Sequence, residues 1–215
     1  MATKKPVQLN LIILGDPGAG KATQSVHFAK KYNLFDFDMG RELTLLREKS
    51  AAVEAAQKRT ADKGILTPTA IVRKINEQKI GELNKSAGIL FDGHPKMVGE
   101  AKLVARLLEK TGRTKPLVLY IKIPVTEIVK RTHKRLGYYN TKFSKRPDDS
   151  ISALKNRARY YRTNIKQVTE YFKSIYTFAQ IDGMGTKAQV RTRIQKAIDF
   201  YLKHYEEIYK TSSRN

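Results

Sequence analysis

Gly15-Asp16-Pro17-Gly18-Ala19-Gly20-Lys21-Ala22-Thr23 is the stretch that decides how this 215-residue chain folds. It follows a short β-rich apolar run, Val7 to Leu14 (VQLNLIIL), and opens a segment, Ala22 to Lys31, in which polar residues surround Val26, Phe28 and Ala29 at helical spacing. Strand, glycine turn and helix form the context that a phosphate-binding loop requires. In such a loop the glycines let backbone N–H groups curl closely around phosphate oxygens, and the helix N-terminus adds positive potential. Lys21 is placed to hold the phosphate in transfer. The strict pattern has Ser or Thr directly after the lysine, whereas here Ala22 intervenes before Thr23. A plain glycine-rich turn would leave a lysine at this position unexplained.

Outward from the loop, four more short apolar runs leave room for helices between them: Leu34 to Phe37, Gly88 to Phe91, Leu117 to Ile123, and Ile175 to Ile181. Strands alternating with helical stretches predict a mostly parallel sheet covered on both faces, five strands in all. About fifty residues rich in helix formers, Arg41 to Ser86, separate the second and third strands. That is too much for one crossover and predicts an inserted helical lobe. Leu136 to Pro147 (LGYYNTKFSKRP) has no helical period and reads as a surface loop between two basic helical stretches. Val190, Ile194, Ile198, Tyr201, Tyr205, Ile208 and Tyr209 recur at helical spacing, predicting a terminal helix long enough to run beyond the body of the domain.

Composition narrows the function classes. At about 1.4 times a typical ~150-residue domain, the chain is expected to form one domain with inserted lobes. No apolar run approaches the ~18 residues of a membrane span. The basic segment Met1 to Pro6 lacks the apolar stretch of an export signal, so export is not expected. The chain has no cysteine, which excludes disulfides, thiolate zinc sites and a cysteine nucleophile, and the cytoplasm is the expected location. The net charge is +22, of which residues 110–215 (24 basic, 8 acidic) carry far more than residues 1–109 (18 basic, 12 acidic). Such a field favours polyanions without choosing among nucleotide, nucleic acid and anionic lipid. With no aromatic-basic stacking module beside the lysines, the nucleic-acid binding to expect is weak and indifferent to sequence.

GDPGAGKATQ resembles the GxPGxGKGTQ loop of adenylate kinases and related nucleoside monophosphate kinases, with Ala22 at a position that is usually glycine. Further motifs follow in the family's order. Asp92-Gly93-His94-Pro95-Lys96 resembles DGFPR, Arg131 and Arg135 resemble an RxxxR pair, Arg146-Pro147-Asp148-Asp149 resembles RxDD, and Arg157 and Tyr161 match the arginine and tyrosine downstream. The resemblance covers roughly residues 7 to 200. It implies an α/β P-loop fold with a core at 7–37, 81–135 and 147–200, a monophosphate-binding lobe at 38–80, a short lid at 136–146 and a terminal helix to about 209.

Phosphoryl transfer needs positioning and positive charge around the equatorial oxygens rather than covalent chemistry. The resemblance assigns that charge to Lys21, Arg131, Arg135, Arg146 and Arg157, whose planar guanidinium groups give bidentate phosphate contacts. It assigns ATP to Gly18, Ala19, Gly20, Lys21, Ala22 and Thr23, to Arg131 and Arg135, and to Gly185 against the adenine. Asp92, at the end of an apolar strand, is placed to orient waters on Mg²⁺. The acceptor contacts implied are Met39, Thr44, Ile65, Leu66, Thr67, Gly93, His94, Pro95, Lys96, Glu100, Arg146 and Arg157.

On the acceptor side the chain departs from the family. Met39 stands for a threonine, Thr44 for an arginine, Lys96 for the second arginine, His94 for phenylalanine and Glu100 for the glutamine that reads adenine. Thr44 brings no charge to a phosphate, and Lys96 brings a point charge where a fork is expected. Arg41 and Arg47, three residues either side of Thr44, are candidates to fill the gap. A carboxylate at Glu100 accepts hydrogen bonds and cannot donate one. The expected activity is reversible transfer of the ATP γ-phosphoryl to AMP. Its rivals are a kinase for UMP or CMP, and a nucleotide-binding protein that has lost catalysis and binds nucleic acid through its basic half.

Overall fold

Leu11, Ile12, Ile13 and Leu14 are all fully buried, a run that suits only a strand covered on both faces. The computed structural model describes residues 8–60, 67, 69–133, 137–139, 142–144 and 151–210. The chain begins with β1 (Leu11–Gly15), α1 (Lys21–Tyr32) and β2 (Phe35–Asp38), followed by α2 (Met39–Lys49), α3 (Ala51–Arg59) and α4 (Thr69–Glu82). Next come β3 (Ile89–Asp92), α5 (Val98–Lys110), β4 (Leu117–Lys122) and α6 (Val125–His133). The short strands β5 (Gly137–Tyr139) and β6 (Lys142–Ser144) precede α7 (Ile151–Ile175), β7 (Phe178–Asp182) and α8 (Lys187–Lys210).

Five of these strands form one parallel sheet in the order β2-β3-β1-β4-β7. Period-two alternation along β1 sends its side chains to opposite faces. Leu11 and Ile13 join Leu119 and Ile121 against Phe28 of α1 and Val190, Ile194 and Ile198 of α8. Ile12 and Leu14 join Phe91 and Val118 against Ile75 of α4, Val104 of α5 and Val168 and Phe172 of α7. Each such side chain contributes roughly 1.5 to 3 kcal/mol of transfer free energy, so the two apolar layers hold the sheet rigid under whatever sits at its edge. This is the five-stranded, doubly covered P-loop architecture expected from the sequence.

Helix boundaries follow local chemistry. Asp38 caps α2, its Oδ1 accepting from the Gly40 and Arg41 amides at 2.8 and 3.3 Å. Ser50 caps α3, and α1 ends at Asn33, which takes the left-handed conformation at φ 51°. Thr186 and Gln189 exchange side-chain-to-backbone bonds of 2.8 and 3.2 Å at the start of α8.

Two local expectations are corrected. The segment expected to be a surface loop, Leu136 to Pro147, contains the antiparallel pair β5 and β6, with Gly137 opposite Ser144. Tyr138, Tyr139 and Phe143 favour strand on both sides of Asn140-Thr141, a signal independent of helical period. The terminal helix does not project beyond the domain. The Tyr201 hydroxyl donates to the Lys115 carbonyl, and the hydroxyls of Tyr205 and Tyr209 accept from the amides of Lys115 and Thr177 at 3.3 and 2.9 Å. Its last turns therefore lie against the starts of β4 and β7.

Candidate active site

The chain leaves β1 for β2 on one side of the sheet, while β4 lies on the other, so the C-terminal end of β1 is the switch point where open α/β sheets bind ligands. Gly15 to Gly20 occupy it. A Cβ on Gly15 would sit 2.5 Å from the Ile121 carbonyl oxygen, so only glycine lets the loop leave the strand this close to β4. The Asp16 amide donates to that same oxygen, and the Ala19 amide closes the turn on the Asp16 carbonyl, each at 3.0 Å. Gly18 and Gly20 take positive φ of 76° and 87°. Gly20 caps α1 without a side chain, and no acidic residue lies in the first turn. The first N–H groups of α1 therefore open onto the loop.

Lys21 folds over the loop, its Nζ donating to the carbonyls of Gly15 at 2.7 Å and Asp16 at 3.0 Å. Gly93 faces it across the crevice: a Cβ there would be 3.2 Å from Lys21 Cε, and its φ is 61°. Asp92, the last residue of β3, is in register with Ile13 on one side and Asp38 on the other. Burial, then the nearby Asp38 carboxylate, pushes its pKa up to about 6 against the opposing pull of Lys21.

One residue of the loop escaped the sequence reading. Asp16 is 9% exposed, and its Oδ1 accepts from the Tyr120 hydroxyl at 2.7 Å while Oδ2 accepts from the Ile123 amide at 2.9 Å. The carboxylate inside a glycine-rich loop was visible in the sequence. Its partners, more than a hundred residues away, were not.

Arg131 reaches from α6 to the turn after β7. It donates to Glu127 Oε2 at 3.0 Å and to the Gly183 carbonyl at 3.2 Å, with the Met184 sulfur at 3.7 Å. Arg193 of α8, also missed, donates to the carbonyls of Asp182 at 2.9 Å and Met184 at 2.5 Å. Two guanidinium groups thus brace the turn that carries Gly185, whose φ is 98°. Arg135, Arg146, Ile65 and Leu66 lie outside the described residues, as does the side chain of Arg157 in α7.

A second cleft opens beside β2 and β3. Met39, Thr67, His94, Lys96 and Glu100 line it together with Leu43 and Val72. Thr44 is not among them: it is exposed on α2, and its hydroxyl donates to the Gly40 carbonyl at 2.9 Å. Arg41 is engaged with Asp36, at 3.2 Å to Oδ2 and by a further bond to its carbonyl. His94 precedes Pro95 through a cis peptide bond and is 2% exposed. Its Nε2 meets Asn76 Oδ1 at 2.9 Å, while the Asn76 amide nitrogen donates to the Val72 carbonyl at 2.8 Å. That arrangement makes Nε2 the donor and leaves Nδ1 unprotonated, 3.7 Å from Glu100 Oε2. Burial, with Lys96 in support, lowers the His94 pKa to about 3, so the ring is neutral. Glu100 Oε2 accepts from the backbone amides of Lys96 at 3.0 Å and Met97 at 3.3 Å, capping α5 from within. Burial raises the Glu100 pKa against those two bonds.

The family model for adenylate kinase matches residues 13–177. The chain is 30% identical over 188 residues to an adenylate kinase of Leptospira biflexa, covering 87% of this chain and 98% of that one. It is 29% identical over 191 residues to an adenylate kinase of Bacteroides fragilis, with 89% and 98% covered. A third relative, from Mycobacteroides abscessus, is 28% identical over 190 residues, with 88% and 99% covered. With the phosphate loop at the switch point of a five-stranded parallel sheet, a second cleft beside it and a match spanning most of the chain, this phosphotransferase belongs to the adenylate kinase family.

Proposed function

We infer that the protein transfers the γ-phosphoryl group of ATP reversibly to AMP, giving two ADP. The observation that carries this is the pairing of two recesses across β3: the loop with Lys21 on one side of Asp92, and the cleft of Met39, Thr67, His94, Lys96 and Glu100 on the other. Donor and acceptor would meet above Gly93.

In this reading the backbone of Gly18, Ala19, Gly20, Ala22 and Thr23 holds the donor phosphates, and Lys21 exchanges its loop carbonyls for phosphate oxygens. Arg131 and the turn at Gly185 hold the nucleoside end of ATP. Arg131 also joins Arg135, Arg146 and Arg157 in supplying charge around the group in transfer, as the family's motifs imply. Lys96 holds the acceptor phosphate, Gly93, His94 and Pro95 shape the floor, and Met39, Ile65, Leu66 and Thr67 enclose the base, with Glu100 at its edge. Thr44 gives the phosphate no charge, and Arg41 is held by Asp36, so the duty falls to Lys96 and to Arg47, the other candidate three residues from Thr44. Residues 38–80 act as the acceptor lobe and 136–146 as a short lid.

Mg²⁺ fits the donor side. Asp92 and Asp38 are neighbouring carboxylates at the strand ends whose repulsion a hard dication would relieve, and oxygen ligands with bridging water are what Mg²⁺ takes. When bound, the ion would neutralise phosphate charge, and Asp92 would hold its waters. No helix among the described residues is long and apolar enough to cross a membrane, and we place the activity in the cytoplasm.

Initial rates with ATP and each of AMP, CMP, UMP and GMP test the proposal. AMP should give the highest kcat/KM. A higher value for another monophosphate would overturn the choice of acceptor, and no turnover with any would favour a nucleotide-binding role.

A further inference from the structure

We propose that Asp16 is a positioning residue for phosphoryl transfer, holding the phosphate loop and the Arg131 side of the donor site in one frame. All four of its hydrogen-bonding atoms are used. The amide donates to the Ile121 carbonyl, and the carbonyl accepts from the Ala19 amide and from Lys21 Nζ, each at 3.0 Å. The side chain spans to β4, with Oδ1 on the Tyr120 hydroxyl at 2.7 Å and Oδ2 on the Ile123 amide at 2.9 Å. From there the bonding continues across the sheet. The Gly183 amide donates to the Lys122 carbonyl at 2.8 Å, and the Gly183 carbonyl accepts from Arg131 at 3.2 Å.

Asp16 is therefore the junction between the loop that carries Lys21 and the end of β4, where the chain turns into α6 and where Gly183 and Arg131 meet. The two cations stand on different elements, and catalysis by positioned charge requires those elements to be fixed relative to one another before the substrate arrives. The Ile123 amide is buried, so its acceptor cannot be replaced by bulk water. A loop tied to β4 by its backbone alone would have one bond, from the Asp16 amide, to resist rotation; the carboxyl group adds two more at a distance from that pivot.

This role rests on the phosphate-loop assignment above, and it separates from that assignment experimentally. Asp16→Ala should lower kcat/KM for ATP at least fivefold in protein that melts well above the assay temperature, while the KM for AMP changes less than twofold. Asp16→Asn should remain within threefold of wild type, because an amide oxygen can accept from Ile123 while its NH₂ donates to the Tyr120 oxygen. The charge itself is then dispensable and the geometry is not. If Asp16→Ala does not fold, the conservative pair carries the test. In the Tyr120→Phe background, Asp16→Asn leaves its NH₂ without an acceptor and should cost at least fivefold relative to Tyr120→Phe alone. Affinity for ADP, measured by calorimetry, reads the loop even without turnover and should weaken in parallel. A folded Asp16→Ala variant with wild-type kcat/KM and ADP affinity, equal damage from Asp16→Asn and Asp16→Ala, or strict additivity with Tyr120→Phe would each overturn the proposal. A wild-type chain that binds ADP but makes none sinks the catalytic reading and leaves the binding comparison to decide Asp16.

Discussion

Replacing His94 with glutamine should flatten the acid side of the protein's stability curve. His94 is 2% exposed and packs against both Phe37 and Phe91, its ring 5.9 and 6.4 Å from theirs by centroid while those two rings are 5.5 Å apart. Burial first and Lys96 second depress its pKa from 6.5 to about 3. The unfolded chain takes up a proton near pH 6.5 and the folded chain does not until about pH 3, so this group's contribution is complete above 6.5 and is lost as the pH falls from there. At pH 5, 1.5 units below the unfolded value, the loss is about 2 kcal/mol at 1.36 kcal/mol per unit, a large part of a typical stability of 5 to 15 kcal/mol. His94→Gln keeps a donor for Asn76 Oδ1 and removes the titration. Glu100, raised by burial, changes stability in the opposite sense as it titrates and is common to both proteins. Urea unfolding followed by circular dichroism at pH 7, 6 and 5 should show wild type losing about 2 kcal/mol more than His94→Gln between the extremes. Parallel losses, within about 0.5 kcal/mol, would refute a buried neutral histidine beneath the acceptor cleft.

Lys96→Arg should lower the KM for AMP by about tenfold or more, since a well-formed charge-assisted contact contributes roughly 1.5 to 3 kcal/mol, and should leave the KM for ATP unchanged. Steady-state kinetics at saturating co-substrate decide it. Glu100→Gln keeps an oxygen for the Lys96 and Met97 amides, so it should cost little stability and improve AMP as acceptor, whereas Glu100→Ala should cost about 1 kcal/mol in denaturant unfolding through loss of the helix cap. Filter binding to unrelated RNA and DNA sequences should give one weak affinity that falls steeply between low and physiological salt; salt-resistant binding to one sequence would contradict that.

The parts of the molecule that could be read before the structure are those written in neighbouring residues. LIIL before a glycine loop announces a strand buried on both faces, and glycines around a lysine announce a helix N-terminus open to phosphate, because backbone geometry and side-chain period act within a few residues. That five strands form a mostly parallel sheet followed from the alternation of apolar runs with helical stretches; their order did not. What stayed hidden depends on contacts across the sheet. Asp16 meets Tyr120 and Ile123 only because β1 and β4 are neighbours. His94 meets Asn76 only because α4 packs against the loop after β3. Glu100 lines the acceptor cleft, and its Oε2 also accepts from the start of its own helix; that second role was legible in the local pattern of a glutamate three residues after Met97. Spacing from Thr44 makes Arg41 and Arg47 candidates for the acceptor phosphate, but spacing cannot show that Asp36 holds Arg41. Tyr205 and Tyr209 looked like the end of a free helix because their partners, Lys115 and Thr177, belong to the sheet.

Lys21, curled over the carbonyls of Gly15 and Asp16, is in this reading the charge that follows the phosphoryl group. The most direct test is the rate of ADP formation from ATP and AMP by wild type and Lys21→Ala, with folding of the variant checked by thermal melting. Losing one such electrostatic donor typically costs about 10² to 10³ in rate. A fall of that size in a folded protein is expected; turnover within a few-fold of wild type would show that Lys21 does not follow the phosphoryl group.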